Sequence, residues 1–378
     1  MIRTRTFHAV GQGAFYSEKH DGFSIVYDCG TSSKKDYLSQ EILSLDKDEK
    51  VILFISHFDK DHISGIKELK DHVNITHVIM PLLYDEDKAL IIAYYKAGGE
   101  KIEILENPKA YWGEKTKILY IKPADSENTP EESVNIDFSK NERDNSKNIE
   151  ASIPSGTLLT TQNKNWVFIP YNYDSEARHQ QIINMLKNLQ ICIKKFISSP
   201  NYALRKLKNN IISIKNAYKE ANGIQKHGKT SLINENSMFL YSGPIIEPFK
   251  YWCKILEKKG NVIFYGIHRG CIYTGDGDLN LVDLDAVYSK FIYNVGSVQI
   301  PHHGSLKNFK VDFFIDKGYV CLVSVGQNRK NFPAATVIKD LVNAKCFPHI
   351  VTEKTNNLIN YYYDCSDIKL EKPICVYP

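Results

Sequence analysis

Short apolar runs separated by polar loops recur along the chain, and the spacing inside each run tells strand from helix. Residues 51–55 (VILFI) are apolar without a break and rich in branched side chains, which predicts a strand buried on both faces. Gly65 followed by Ile66 and Leu69 predicts a helix just beyond it, so residues 56–64 form a loop at the carboxyl end of that strand. Upstream, two strands joined at His20-Asp21-Gly22 are predicted, the second of them FSIVYD (23–28), and Val10-Gly11-Gln12-Gly13 is a loop needing backbone freedom. Tyr37, Ile42, Leu43 and Leu45 give helical spacing within 34–48. A strand at 77–81 (HVIMP), a helix at 85–97 and a strand at 101–105 (KIEIL) complete the alternation of an α/β layer.

The pattern then changes. Residues 125–156 are mostly polar and predict an exposed loop, and 166–171 (WVFIPY) predict a strand. From 174 to 229 the period is helical, through Ile182, Met185, Leu186, Leu189, Ile193 and Phe196, then Ile211, Ile212, Ile214 and Tyr218, with a break at Ser199-Pro200. This predicts a helical hairpin. Strands return at 238–241 (MFLY), at 262–267 and 271–274 as a hairpin about His268-Arg269-Gly270, and at 298–300, 321–325, 349–352 and 358–364. An acidic helix-like stretch at 279–291 and a helix at 334–344 are interleaved, and no repeat of solenoid period is present.

Composition narrows the class of protein. With 378 residues, 43% hydrophobic and 24% charged, the chain is globular, and a net charge of +4 does not by itself argue for a polyanion. The charge is local. The helical segment carries Lys194, Lys195, Arg205, Lys206 and Lys208 against few acids, a basic face suited to nucleic acid or to an acidic protein partner, although a solvated helix pair would look the same. Eight scattered cysteines without a CxxC read as buried thiols, and no apolar run approaches a membrane span or a leader segment, so a cytoplasmic protein without membrane contact is expected.

Three loops, each entered from an apolar strand, carry the chemistry. The first holds His57, Asp59, Asp61 and His62, the second Asp276, and the third His302 and His303. Imidazoles and carboxylates without thiolates suit hard to borderline divalent cations, and one or two Mn2+ or Zn2+ ions are expected. A pair of divalent ions would outweigh Asp59, Asp61 and Asp276 in charge and leave a positive field for an anionic phosphodiester. Singly, a histidine at a strand end or an Asp before Gly is weak evidence; the HxDxDH spacing joined to the two later loops is not.

With VGQG, Asp28-Cys29-Gly30, Asn234-Glu235-Asn236-Ser237, Thr274-Gly275-Asp276, Pro301-His302-His303-Gly304-Ser305 and SVGQNRKNFP in this order, HFDKDH resembles the metallo-β-lactamase-fold signature HxHxDH with aspartate in the second ligand position. The set is similar to the metallo-β-lactamase-like domain of the DNA-uptake protein ComEC and its free-standing relatives. The resemblance implies an αββα sandwich, with residues 1–109 and 231–378 as the hydrolase domain and 110–230 as an insertion of polar loop and basic hairpin. It implies that His57 and Asp59 hold one cation and Asp61 and His62 the other, with Asp276 bridging. His302 would be the ligand of the last loop, His303 a neighbouring group or proton donor, and Asn234 would stand where the family has its third-loop histidine. Ala14 and Phe332 replace the aspartate and histidine usual at those places.

The expected activity is hydrolysis of DNA or RNA by water activated at the cations, with Asp61, His303 and Asn234 in catalysis. Hydrolysis of a small ester, lactone or cyclic nucleotide on the same site is the alternative. A non-catalytic alternative is a subunit of a larger assembly, such as an antiphage system, that docks through the helical insertion.

Overall fold

The computed structural model describes residues 4–124, 133–135, 150–160, 165–173, 176–221, 237–245, 251–257, 260–354 and 358–363. β1 (Thr4–Phe7), β2 (Phe15–Lys19) and β3 (Ser24–Cys29) are antiparallel, with the turn where His20-Asp21-Gly22 predicts it. Then come α1 (Lys35–Leu43), β4 (Lys50–Phe54), α2 (Lys60–Ile63), α3 (Ile66–His72), β5 (Asn74–Pro81), α4 (Asp85–Ala97), α5 (Glu103–Glu106), α6 (Pro108–Trp112) and β6 (Lys117–Ile121). β3, β4, β5 and β6 pair in parallel, so their carboxyl ends reach one edge of the sheet.

β7 (Ser133–Asn135), β8 (Glu150–Ile153), β9 (Leu158–Thr160) and β10 (Trp166–Asn172) precede α7 (Glu176–Asn188), α8 (Ile193–Ser198) and α9 (Pro200–Ala221). The chain ends with β11 (Met238–Pro244), β12 (Tyr251–Glu257), β13 (Gly260–Ile267), β14 (Gly270–Tyr273), α10 (Leu284–Val287), β15 (Val295–Gln299), β16 (Val320–Ser324), α11 (Ala335–Asn343), β17 (Phe347–Val351) and β18 (Leu358–Tyr363). The strands form a ten-stranded sheet in the order β13-β12-β18-β1-β2-β3-β4-β5-β6-β8 and an eight-stranded sheet in the order β17-β16-β15-β14-β11-β10-β9-β7. The second sheet has a parallel wing of its own, β14 to β17.

Strand alternation sorts the side chains into layers. Ile52 and Phe54 of β4 meet Phe168, Leu240, Tyr273 and Leu322 between the sheets. Val51, Leu53 and Ile55 point the other way, onto Leu38 of α1 and Leu69 of α3. Across the molecule Cys321 and Val323 of β16 pack on Val337 and Leu341 of α11. Each such side chain contributes roughly 1.5–3 kcal/mol when fully buried. The result is an αββα sandwich, and β4 is apolar from Val51 to Phe54 because both of its faces are covered. No helix among the described residues is long and apolar enough to cross a membrane.

Several expectations need correction. KIEIL is not a strand, since Glu103–Glu106 is a helical turn that buries Ile104 and Leu105 against the first sheet's outer face. β13 and β14 are not a hairpin, because β13 pairs with β12 in one sheet and β14 with β11 and β15 in the other, so the chain changes sheets at His268-Arg269. The stretch 279–291 contains only the short α10. Within the expected insertion at 110–230, β6 and β8 extend the first sheet and β9 and β10 the second, and α7–α9 follow them in the chain. Those helices are three pieces, and Ile182, Leu186, Phe196, Ala203 and Leu207 pack with Leu90 and Ala93 of α4. The polar loop expected at 125–156 falls largely outside the described residues, as does Asn234.

Candidate metal centre

The parallel wings place the functional loops together, because β3, β4, β14 and β15 all end at the same edge of the sandwich. Gly30, just past β3, is needed for a close approach: a Cβ there would lie 2.6 Å from the backbone of Asp61 and His62. Ala14, buried, donates its backbone N–H to Asp61 O at 3.0 Å. The ligand loop is also held from outside, where Tyr95 of α4 donates its hydroxyl to Phe58 O at 2.8 Å.

Each histidine of the centre has its Nδ1 committed. His57 Nδ1 lies 2.9 Å from Ser56 Oγ and 3.0 Å from Ser237 Oγ, and His62 Nδ1 lies 2.8 Å from Asp28 Oδ2. His303 Nδ1 lies 2.8 Å from Ser324 O, a carbonyl that can only accept, so Nδ1 carries the proton there. His302 Nδ1 lies 3.0 Å from Asn308 Oδ1, an orientation fixed because the Asn308 amide nitrogen donates to Asp276 O at 3.1 Å. In all four, Nε2 is the atom turned inward, the arrangement that prepares an imidazole for a cation.

Those Nε2 atoms face two carboxylates. His62 Nε2 is 3.1 Å from Asp276 Oδ1, while His57 Nε2 is 3.9 Å and His302 Nε2 3.8 Å from Asp276 Oδ2. His303 Nε2 is 3.3 Å from Asp61 Oδ2. Nε2 of both His57 and His62 is buried with no hydrogen-bond partner. Two ligands bound tetrahedrally to one cation at about 2.0–2.1 Å stand roughly 3.3 Å apart, so this donor set and its spacing fit a divalent ion.

Among the described residues, two donor groups come together within 4.8 Å: His57, His62 and Asp276, and Asp61, His62 and His303. The grouping differs from the one the resemblance implies. His62 is common to both, and His303, expected behind its neighbour, faces Asp61 directly. His302 reaches toward Asp276 from the rim. Asp59 joins neither group; it is half-buried at the start of α2, where its carbonyl accepts from the N–H of His62 and of Ile63. His302 and His303 both have positive φ, 47° and 56°, a conformation uncommon for such side chains and one that aims the two rings at different carboxylates.

Electrostatics follows the same division. Burial alone would lower the pKa of His62, but the charges of Asp276 and Asp28 raise it well above the ordinary range. Burial works against His303 too, yet Asp61 and Asp276 raise it. His57 is pushed down to about 3, by burial and then by the charge of His62. Burial would raise both carboxylates, but the imidazoles hold Asp276 well below its usual value and Asp61 at about 2. The centre is therefore built around ionised carboxylates that need positive charge beside them.

Ser56, Ser237, Asn308 and Ser324 act on the histidines; Ser237 and Ser324 stood in the sequence only as members of motifs, and Ser56 and Asn308 carried no signal, since serine and asparagine are common in loops. Asp28 is more than a turn cap: fully buried at φ 56°, it accepts from Ser56 N at 2.7 Å and Ser56 Oγ at 2.6 Å as well as from His62. Its signal was its place in the DCG motif. The basic side chains lie elsewhere, on the helical layer: Lys194, Lys195, Arg205 and Lys208 are exposed, and Lys206 is half-buried with Nζ 5.8 Å from the Tyr202 ring centre.

Residues 13–121 match the family model of the Metallo-beta-lactamase superfamily. No curated protein matches the chain. Among solved structures it is similar to the metallo-beta-lactamase fold protein YhfI from Bacillus subtilis, with 11% identity, TM-score 0.35, and 94% of this chain and 100% of that chain covered. It is also similar to human tRNase Z, short form (ELAC1), with 10% identity, TM-score 0.36, and 93% of this chain and 98% of that chain covered.

Proposed function

We propose that the protein is a metal-dependent hydrolase of nucleic-acid phosphodiesters. The observation that carries this reading is the convergence of four Nε2 atoms on Asp61 and Asp276 with every Nδ1 held from behind. A divalent cation bound there supplies Lewis acidity and lowers the pKa of water so that hydroxide is available near neutral pH. His57, His62 and His303 with Asp61 and Asp276 would hold it, and His302 and Asp59 are the flanking donors.

The chain's own groups set the rest. Asp28 fixes the ring of His62, and Gln299 bonds Thr274 N at 2.7 Å and Gly275 N at 2.7 Å, which ties the Asp276 loop to the strand that leads to His302. Asp61 and His302 have side-chain exposures of 22% and 13%, against 1–3% for His57, His62 and Asp276, so a substrate meets the centre on the Asp61 and His302 side. Asp61 would orient water there, while His303, whose Nδ1 proton is given to Ser324 O, has only Nε2 to offer, and that atom serves the cation. A phosphodiester is favoured over a neutral ester because Arg329, Lys330 and Lys307, all exposed, belong to the loops flanking that opening.

The test is cleavage of single- and double-stranded DNA and RNA with Mn2+ or Zn2+, with Asp61→Ala as control and elemental analysis of the native protein. Cleavage that requires the cation and Asp61, and binding that weakens steeply with salt, is the expected result. Turnover of small esters or lactones without turnover of nucleic acid would replace this reading with the small-molecule one.

A further inference from the structure

Phe332 stands on the open side of the centre. Its ring stacks on His302, with centroids 5.9 Å apart and planes 23° apart, and meets His303 edge-on at 6.5 Å and 87°. It is half-buried, and the three residues before it, Arg329, Lys330 and Asn331, are exposed. The segment is anchored. Ala334 N donates to Gly304 O at 3.0 Å, and a Cβ on Gly304, whose φ is +78°, would press on Pro333 at 2.6 Å, so the Phe332 turn and the His302 turn move as one piece.

Further back, Gly326 N donates to Gln12 Oε1 at 3.3 Å and Arg329 donates to Ser32 Oγ at 3.1 Å. The chain thus places an aromatic face and a guanidinium on a loop fixed to the Gln12 and Ser32 loops beside the candidate ligands. His302 and Asp61 are the donors most open to solvent, so whatever group reaches them arrives alongside this ring.

We propose that Phe332 is a specificity-determining residue whose ring stacks on the base flanking the reacting phosphodiester, so that the centre selects single-stranded or unpaired nucleic acid. This rests on the phosphodiesterase reading above. A base inside a duplex is already stacked on both faces and cannot cover Phe332 without leaving its pair, whereas an unpaired base can, and stacking tolerates any base because each has a π-face. Arg329 then lies where the next phosphate of the strand would run. Rings packed only on each other would instead make Phe332 a wall that holds His302 in place, and the two roles separate experimentally.

The experiment uses the full chain in EDTA, an oligonucleotide carrying 2-aminopurine, and the same oligonucleotide with an abasic residue at that position. Binding is followed by anisotropy and stacking by quenching of 2-aminopurine. Phe332→Ala and Phe332→Leu are expected to weaken binding of the intact strand by about tenfold and to abolish the quenching. Binding of the abasic strand should be unchanged, and Phe332→Tyr should restore both signals.

Equal losses on intact and abasic strands, or quenching that survives Phe332→Leu, would overturn the stacking role. Native protein that cleaves both strands equally well would end this inference and leave the phosphodiesterase reading standing. Native protein that neither binds nor cleaves either strand would end both.

Discussion

Glu18, between the sheets, and Asp276, at the edge where the ligand loops meet, are both buried carboxylates, and the chain treats them in opposite ways. Glu18 Oε1 accepts from Arg5 Nε at 2.7 Å and Tyr273 OH at 2.8 Å, and Oε2 from Ser242 Oγ at 2.6 Å with His20 Nε2 at 3.3 Å. Arg5 goes on to Ser297 Oγ at 3.2 Å and Arg269 O at 3.0 Å, so this network joins both sheets with its charges paired inside the chain. Around Asp276 the neighbours are imidazole nitrogens at 3.1–3.9 Å, and those of His57 and His62 make no hydrogen bond. A buried charge closed by its own protein is framework, while one ringed by open ligand atoms is prepared for something from outside.

The contrast breaks most visibly at Asp276. Asp276→Ala should abolish cation binding and lower hydrolysis by the folded protein by on the order of a thousandfold; elemental analysis and turnover check it. Arg5→Met should do the reverse. It strands the Glu18 charge and should cost about 3–5 kcal/mol in urea unfolding, while the cation content of the folded fraction stays the same.

Acid sharpens the same distinction. Burial would raise the pKa of Glu18, but Arg5 and His20 lower it from 4.5 to about 2. A folded pKa below the unfolded one means that the ionised form stabilises the fold, fully above pH 4.5 and progressively less as pH falls toward 2. The loss is on the order of 3 kcal/mol, measured as unfolding free energy against pH, and Glu18→Gln should flatten that part of the curve. A smaller effect is expected at Asp28, which touches the centre only through His62. Asp28→Asn should weaken cation affinity by roughly 10–100-fold, read by calorimetry, and a change under twofold would show that the ring of His62 is held without it.

Much of this was legible in the residues. The branched run before His57, the turn at His20-Asp21-Gly22 and the helical period of α4 depend on local pattern, and local pattern is what a sequence displays. KIEIL misled because β-branched residues under a tertiary contact can close a helical turn as well as extend. The strand change at His268-Arg269 was invisible because two adjacent strands look alike whether or not they pair. In the centre, the ligand types and loops were readable from HxDxDH, Asp276 and the His302-His303 pair. Their grouping was not, because the positive φ of His302 and His303 and the bond from His303 to Ser324 decide which ring meets which carboxylate. The orienting groups, Ser56, Ser237 and Asn308, became recognisable only through the atoms they touch.

The most direct test is titration of Mn2+ or Zn2+ into protein stripped of metal, followed by calorimetry, for the native chain and for His62→Ala. His62 belongs to both donor groups, so the native chain should take up one or two ions and the variant should lose all of that binding while remaining folded. Native protein that takes up no ion, or a folded His62→Ala variant that binds as the native chain does, would contradict the account.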